Sequence, residues 1–194
     1  VLPTLLLVLA YLVSTVFSLT PRISLLGSYQ RLQGTYTTLS YIVIFFLVLG
    51  HLRRPEQWRR LAYAIILTSI PIAIYGILQR SGLDPLPWGG DVQRRVAANM
   101  GNAIFVAAYL LMAFFLTLQR TLLHFGRVLR NEESRNGLAD AVLAGCYLFV
   151  LAIQSLTILY TQSRGPFLGL LAGLYVFGLV GLLGLRAWAR NTER

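Results

Sequence analysis

A short polar segment that contains an arginine lies between two long apolar stretches near the end of the chain. The segment is Thr161-Gln162-Ser163-Arg164, and Pro166 follows two residues later. A guanidinium group stays charged at any relevant pH, and its planar fork donates two parallel hydrogen bonds to a phosphate or carboxylate. Because proline favours the first position of a helix, the sequence predicts a helix from Pro166. Arg164 should therefore lie beside a helix amino end, with Gln162 and Ser163 as supporting donors, where an anion binds favourably.

Two further arginines precede predicted helices in a similar way. Arg95 comes shortly before Asn99 and Asn102, and Arg31 comes shortly before the stretch that begins at residue 36. Three guanidinium groups beside three helix amino ends would be suited to clamp a diphosphate. The alternative is that such arginines are anchors whose charged heads reach the membrane surface, and it stays open for all of them. It is favoured for Arg22, Arg80 and Arg94.

Composition indicates an integral membrane protein. Hydrophobic residues make up 56% of the chain and charged residues only 12%, which lies outside the range of an ordinary soluble domain. Six apolar stretches approach the roughly 20 helical residues that cross a hydrocarbon core. They are residues 2–19, 36–52, 61–78, 103–123, 138–160 and 166–185. The predicted fold is all-α, a polytopic bundle of about six transmembrane helices, with residues 1–194 forming a single transmembrane helical region.

The distribution of arginine predicts which loops face the cytoplasm. All 17 cationic residues are arginine, and alternate loops carry them unevenly, 11 in one set and 6 in the other. The richer set is expected to be cytoplasmic, so positions 31, 95 and 164 face the outside of the cytoplasmic membrane. The formal charge of +10 is then explained by contact with anionic membrane lipid, and a nucleic-acid partner is not needed.

The sequence offers few residues for metal or nucleotide chemistry. Cys146 is the one cysteine, and the two histidines, His51 and His124, fall on the predicted cytoplasmic side. We find no phosphate-binding glycine loop, no nucleophile elbow and no paired carboxylates on the predicted outer face. Asp140 lies in the first turn of the fifth predicted helix, where a carboxylate complements the helix dipole. No metal and no cofactor are therefore expected.

Glycine positions predict two local features. Gly165, Gly169 and Gly173 recur every four residues, which places them along one face of the sixth predicted helix and indicates close helix packing. The loop from Arg80 to Gly101 is rich in glycine and proline turns and has no helical period. We expect it to fold over the end of the helix bundle.

Three segments, taken together, resemble the O-antigen ligase and polymerase superfamily. Residues 163–169, Ser-Arg-Gly-Pro-Phe-Leu-Gly, look like its Ser-Arg-Gly segment and contain its Arg-x-x-x-Leu pattern. Residues 95–102, Arg-Val-Ala-Ala-Asn-Met-Gly-Asn, resemble its Arg-x-x-Gly-Thr-x-x-Asn-Pro-Asn segment. Residues 27–34, Gly-Ser-Tyr-Gln-Arg-Leu-Gln-Gly, are similar to an arginine-bearing outer loop of the family. The second segment departs from the family where Gly, Thr, Pro and Asn are replaced by Ala98, Asn99, Ala103 and Ile104.

The resemblance implies a membrane glycosyltransferase of the multi-helix, GT-C-like type. Such enzymes move a glycan from a polyprenyl diphosphate carrier to a lipid or glycan acceptor at the outer leaflet, without metal or nucleotide sugar. Arg164, as the catalytic arginine, and Arg95 match the residues that bind the carrier diphosphate. The family's histidine, from a later outer loop, has no counterpart here. The chain is thus expected to be an amino-terminal or middle fragment without transferase activity of its own.

Two other functions are consistent with the same residues. One half of a transporter or flippase for lipid-linked saccharides or other anions would also use outward arginines, but it should carry ionisable groups along its path, and Asp140 is the only candidate. A structural or partner-binding membrane module would tolerate replacement of the outer arginines one at a time. A long outer loop with a histidine, encoded after this segment, would favour the transferase.

Overall fold

The computed structural model describes residues 2–28, 33–129 and 137–192, and their side chains as far as residue 184. Every regular element in these ranges is helical, as predicted. The α-helices are α1 (Leu2–Val16), α2 (Pro21–Leu26), α3 (Thr35–His51), α4 (Pro55–Arg80), α5 (Ala103–Leu129), α6 (Gly137–Tyr160) and α7 (Arg164–Thr192). A single 3-10 turn, Ala98–Met100, precedes α5. The chain forms two compact units, Val1–Arg59 and Arg60–Arg194.

Four of the described helices are long and apolar enough to cross a membrane. They are α4, α5, α6 and the part of α7 from Arg164 to Gly184, which supports a multi-pass helical membrane protein. The first two predicted stretches also form helices, but α1 has 15 residues and α3 has 17, shorter than the roughly 20 residues of a typical span. α1 ends at Val16, before Pro21 starts α2, and α3 ends at His51, before Pro55 starts α4. A count of six spans remains a prediction.

The Val1–Arg59 unit holds α1, α2 and α3 together through hydroxyl groups. The side chains of Thr15 and Thr35 share a hydrogen bond, and the Thr35 hydroxyl lies 3.3 Å from the carbonyl oxygen of Ser24, to which it can donate. The chain passes so close to α2 at Gly34 that a Cβ there would lie 2.3 Å from the carbonyl oxygen of Leu25. Glycine is therefore required at this position. Arg31, the third predicted diphosphate ligand, lies outside the described residues.

Buried polar side chains join the spanning helices of the Arg60–Arg194 unit. The amide nitrogen of Gln154 on α6 donates to the hydroxyls of Ser69 on α4 (2.7 Å) and Thr117 on α5 (3.1 Å). One turn further along α6, the Thr157 hydroxyl donates to the carbonyl oxygen of Ala73 on α4 at 2.9 Å. Apolar side chains fill the remaining space. Such hydrogen bonds and close packing replace the hydrophobic effect as the force that associates helices in lipid.

Glycine packing places α7 against α5, as the spacing predicted. A Cβ at Gly173 would lie 2.3 Å from the ring of Phe115, and one at Gly169 would lie 3.1 Å from Leu111. Gly165, by contrast, faces open space. The close packing is confirmed for two of the three glycines.

Candidate functional site

The long loop between α4 and α5 is inserted into one end of the Arg60–Arg194 bundle. Val96 and Ala98 are fully buried, and the backbone N–H of Val96 donates to the carbonyl oxygen of Tyr160, the last residue of α6, at 3.2 Å. The side-chain oxygen of the buried Gln79 accepts from the N–H groups of Ala97 (3.3 Å) and Ala98 (2.8 Å). The expected position over the bundle end is thus correct, and the loop also contributes to the core.

Asp84 fixes the first half of the same loop. Its carboxylate accepts hydrogen bonds from the Tyr75 hydroxyl (2.9 Å), the Gln79 amide (3.0 Å), the Trp88 indole N–H (2.7 Å) and the backbone of Leu86 (3.0 Å). Burial by itself would raise the pKa of this carboxyl, but the hydrogen bonds together lower the pKa below its usual value. Asp84 is consequently charged at neutral pH, and it orients the Trp88 ring.

Arg95 connects this loop to the segment that contains Arg164. Its side-chain Nε donates to the carbonyl oxygen of Thr161 at 3.3 Å, next to the backbone contact between Val96 and Tyr160. Because Nε makes this bond, the two terminal nitrogens of the guanidinium group stay available to a ligand. Two predicted arginine segments, 66 residues apart in the sequence, therefore meet at the same end of the bundle.

Arg164 is the first residue of α7, so the helix begins two residues earlier than the sequence predicts. Pro166 is its third residue, where a missing N–H still costs no intrahelical hydrogen bond. The carbonyl oxygen of the buried Ser163 accepts from Phe167 N–H at 3.1 Å, and the Ser163 hydroxyl donates to Thr161 at 3.3 Å. Gln162 makes the turn with a φ of 49°, which is unusual for a residue other than glycine. This tight turn presents Arg164 to solvent.

The two arginines line different cavities. Arg95 contributes to a cavity of about 460 Å³, and Arg164 contributes to one of about 280 Å³. Of the predicted supporting residues, Asn102 lines the Arg95 cavity, where its side chain also caps α5 by accepting from Ile104 N–H at 3.0 Å. Gln162 and Ser163 line the Arg164 cavity. Asn99 is exposed in the 3-10 turn and lines neither of these two cavities.

Neighbouring arginines have structural contacts. Arg80 donates from Nη1 to the carbonyl oxygen of Gln93 and stacks over the Tyr160 ring, with its guanidinium carbon 5.4 Å from the ring centre. Arg94, next to Arg95, uses its backbone N–H to bond the Asp91 carboxylate at 2.9 Å. Arg80 thus contacts the loop and an aromatic ring, and its interpretation as a membrane anchor stays a prediction.

The opposite end of the bundle carries a closed ionic cluster. Nδ1 of His124, near the end of α5, lies 2.6 Å from the Asp140 carboxylate at the start of α6, and Arg127 lies 3.5 Å from the same oxygen. The His124 ring also stacks on Tyr147. Asp140 therefore does more than complement a helix dipole, because it joins α5 to α6. His124 lies far from Arg95, at the other end of α5.

Sequence reasoning missed the residues that build the Arg95 cavity. Trp88 and Asp91 line it together with the Gly89-Gly90 turn, and Asp84 and Gln79 hold that turn in place. The sequence shows two aspartates and a tryptophan among the turn residues of this loop, but their spacing does not by itself indicate a site. No set of three or more His, Cys, Asp or Glu side chains within the described ranges could hold a metal ion.

The residues of the candidate site thus form one end of a helical bundle, where Arg95 is bonded to the 161–163 turn and the exposed Arg164 directly follows it. Comparisons of the chain with protein-family models, curated proteins and solved structures give no match. The resemblance to the O-antigen ligase superfamily rests on the three sequence segments described above.

Proposed function

We propose that this chain forms the donor-binding region of a membrane glycosyltransferase of the O-antigen ligase type. The observation that carries the proposal is the hydrogen bond from Arg95 Nε to Thr161 at 3.3 Å. It brings the loop that contains Arg95 against the turn that precedes Arg164, as a shared diphosphate site requires. The site would lie on the outer face of the cytoplasmic membrane, and α1 and α3 would add two spans to the four long helices in a GT-C-like arrangement.

Charge supports this assignment. Neither Arg95 nor Arg164 has a carboxylate within ion-pair distance among the described residues, so each keeps its positive charge uncompensated. Ala103, the first residue of α5, lines the Arg95 cavity, and Arg164 itself opens α7. At the start of α5 the N–H groups of Ile104 and Phe105 are already bonded to Asn102, so it is the amino end of α7 that adds to the attraction for phosphate.

The proposed reaction is displacement at the anomeric carbon of the first sugar. The acceptor hydroxyl, on a lipid or glycan, attacks that carbon while the bond to the carrier diphosphate breaks. The acceptor's proton passes to a base, which the resemblance places in a later outer loop. Arg164 stabilises the negative charge that develops on the departing diphosphate, and Arg95 binds the same group. No metal or cofactor takes part in this scheme.

A transporter or flippase half is the alternative function. It requires ionisable groups along a membrane path, and its one candidate, Asp140, lies 2.6 Å from His124 and 3.5 Å from Arg127. A carboxylate held by a histidine and an arginine has a structural role already. The structure offers no observation that favours transport over transfer.

The proposal is tested by binding of a radiolabelled polyprenyl diphosphate to the chain in lipid nanodiscs. Arg164→Lys keeps the charge but loses the two-pronged donor, so affinity should fall about 10-fold, and Arg164→Gln about 100-fold, since a charge-assisted hydrogen bond contributes roughly 1.5–3 kcal/mol. Arg94→Gln removes the same charge from a neighbouring loop position and should change affinity less than about twofold. Equal affinities for all four proteins would contradict the proposal.

A further inference from the structure

The two cavities beside the 161–163 turn differ in chemical character. The Arg164 cavity has an apolar wall formed by Ile158, Leu159 and Phe167, with Arg164 at its polar edge. Leu159 and Phe167 are about half exposed, at 52% and 40%, and both belong to helices long enough to span a membrane. In a bilayer this wall continues into the hydrocarbon. The cavity therefore suits an amphipathic ligand, with an anion at the arginine and a hydrocarbon chain along α6 and α7.

The Arg95 cavity has the opposite character. Its lining combines Arg95 with the Asp91 carboxylate, the Trp88 ring and the Asn102 side chain. A carboxylate only accepts hydrogen bonds and repels phosphate, so Asp91 disfavours a second anionic group in this space. A neutral group rich in hydroxyls satisfies both Asp91 and the amide of Asn102. The volume of about 460 Å³ is well within the range of small-molecule sites.

A hydrogen bond fixes the Trp88 side chain, and its ring lines the Arg95 cavity, where a ligand can contact it. Its indole N–H is bonded to Asp84 at 2.7 Å, and Asp84 is in turn fixed by Tyr75 and Gln79. An aromatic side chain in one rotamer presents a flat apolar surface at little cost in conformational entropy. The C–H face of a pyranose ring is a suitable partner for such a surface.

We infer that the two cavities receive opposite ends of one lipid-linked saccharide. The first isoprene units lie in the Arg164 cavity, the diphosphate lies at the 161–163 turn between the two arginines, and the first sugar lies between Trp88 and Asp91. The inference rests on the proposed function and adds the orientation of the donor. Trp88 and Asp91 become residues that select the sugar, whereas Phe167 selects the lipid.

Two photoreactive donors test this orientation. One carries a diazirine on the first isoprene unit and the other carries it on the sugar. After irradiation in nanodiscs and peptide mapping, the isoprene probe should label Leu159 or Phe167, and the sugar probe should label residues 88–92. Binding is measured in parallel with sugar-linked and sugar-free polyprenyl diphosphate.

Matched variants separate the two ends of the donor. Trp88→Leu and Asp91→Asn should weaken the sugar-linked lipid at least fivefold and leave the sugar-free lipid unchanged, whereas Leu86→Ala, in the same loop, should affect neither. Phe167→Ala should weaken both lipids, and Val176→Ala, at an exposed position of the same helix, should not. Loss of the sugar-linked lipid alone also excludes misfolding of the Trp88 and Asp91 variants, because a misfolded protein would lose both lipids at once, and an unchanged Tm excludes misfolding of Phe167→Ala.

Several results would overturn the inference. The inference would be wrong if both probes labelled both cavities, or if every variant bound the two lipids with equal affinity. The proposed function would still stand in either case, provided that sugar-free polyprenyl diphosphate binds. Displacement of the isoprene probe by an equal amount of phosphatidylglycerol would show that the Arg164 cavity is an ordinary lipid contact. Failure of the wild-type chain to bind sugar-free polyprenyl diphosphate would refute the proposed function itself, and the inference with it.

Discussion

The two ends of the Arg60–Arg194 bundle use charged residues in opposite ways. At the end with His124, the carboxylate of Asp140 lies within 2.6 Å of the histidine and 3.5 Å of Arg127, so the carboxylate is paired with side chains of the bundle itself. At the end with Arg95 and Arg164, Asp84 is bonded to uncharged donors. The two guanidinium groups there are left without a carboxylate partner among the described residues.

This difference separates structural charge from charge that can serve a ligand. A partly buried ion pair joins helices, and its members have little left to offer an external anion. Unpaired arginines that face a cavity keep both their charge and their donors. We therefore propose that binding takes place at the Arg95 and Arg164 end, whereas the His124 end serves helix association. Four predictions test this assignment, from the largest effect to the smallest.

The largest effect is expected from Gln79→Leu, which should abolish the ordered loop at the binding end. Leucine has a similar size but leaves the buried N–H groups of Ala97 and Ala98 without their acceptor. We expect a loss of about 3 kcal/mol, since each unsatisfied buried donor costs roughly 1–3 kcal/mol. Urea unfolding in detergent gives the stability, and limited proteolysis reports the loop. Gln93→Leu, at an exposed position of the same loop, should have the wild-type stability and cleavage pattern.

Arg95→Gln should lower the affinity for polyprenyl diphosphate about tenfold, with almost no change in thermal stability. Glutamine can still donate to Thr161 but carries no charge, so the change removes about 1.4 kcal/mol of electrostatic attraction. Titration of the labelled lipid into nanodiscs gives the affinity, with Arg94→Gln as the adjacent control. A large drop in stability accompanied by unchanged affinity would assign Arg95 to the structural group.

Asp140→Asn should show the reverse pattern. The asparagine amide is neutral and no longer attracts His124 and Arg127 as the carboxylate does. The Tm should therefore fall by a few degrees. Affinity for polyprenyl diphosphate should be unchanged, because the cluster lies at the other end of α5. Differential scanning fluorimetry and the same lipid titration measure the two quantities. Weakened lipid binding in this variant would mean that the two ends are coupled.

The smallest effect is the acid sensitivity of the loop that Asp84 fixes. A carboxyl with a lowered pKa in the folded protein stabilises the fold at pH values above its unfolded pKa of about 3.9, and this stabilisation is lost as the pH falls through the folded pKa. The contribution of Asp84 to the free energy of unfolding should thus be constant from pH 5 to pH 8. It should fall only below about pH 4. In Asp84→Asn this acid-dependent loss should be smaller than in wild type. Emission of Trp88 in a Trp58→Phe, Trp188→Phe background follows the loop during the titration, and Asp91→Asn is the control.

Hydropathy predicts where the chain can cross lipid better than where its helices end. The fourth stretch is predicted to start at residue 103, which is the first residue of α5. The fifth is predicted to end at residue 160, which is the last residue of α6. By contrast, α4 begins at Pro55, six residues before the predicted stretch, and α5 continues to Leu129, six residues beyond it. Polar residues such as Gln57 and His124 end an apolar stretch but are compatible with a helix that extends into water. The apolar pattern therefore marks the part of each helix that can lie within a membrane, and it does not mark the ends of the helix.

The candidate site could be predicted only in part for a related reason. Arginine chemistry and its position in loops were evident, so Arg95 and Arg164 could be named. Trp88, Asp84 and Gln79 gave no comparable signal, because their importance comes from contacts with one another and with the backbone at Ala97 and Ala98. Single residues with ordinary roles elsewhere become part of a site only through such contacts.

Composition and apolar spacing were sufficient to establish a helical membrane protein, with its arginines confined to the ends of the apolar stretches. Only the tertiary structure decided that Arg95 meets the turn before Arg164 and that each lines its own cavity. The physical reason is that helices of 27 and 24 residues separate the two arginines and fold back on one another. Distance in the sequence then carries no information about distance in space, and the packing of α4, α5, α6 and α7 sets which loop ends come together.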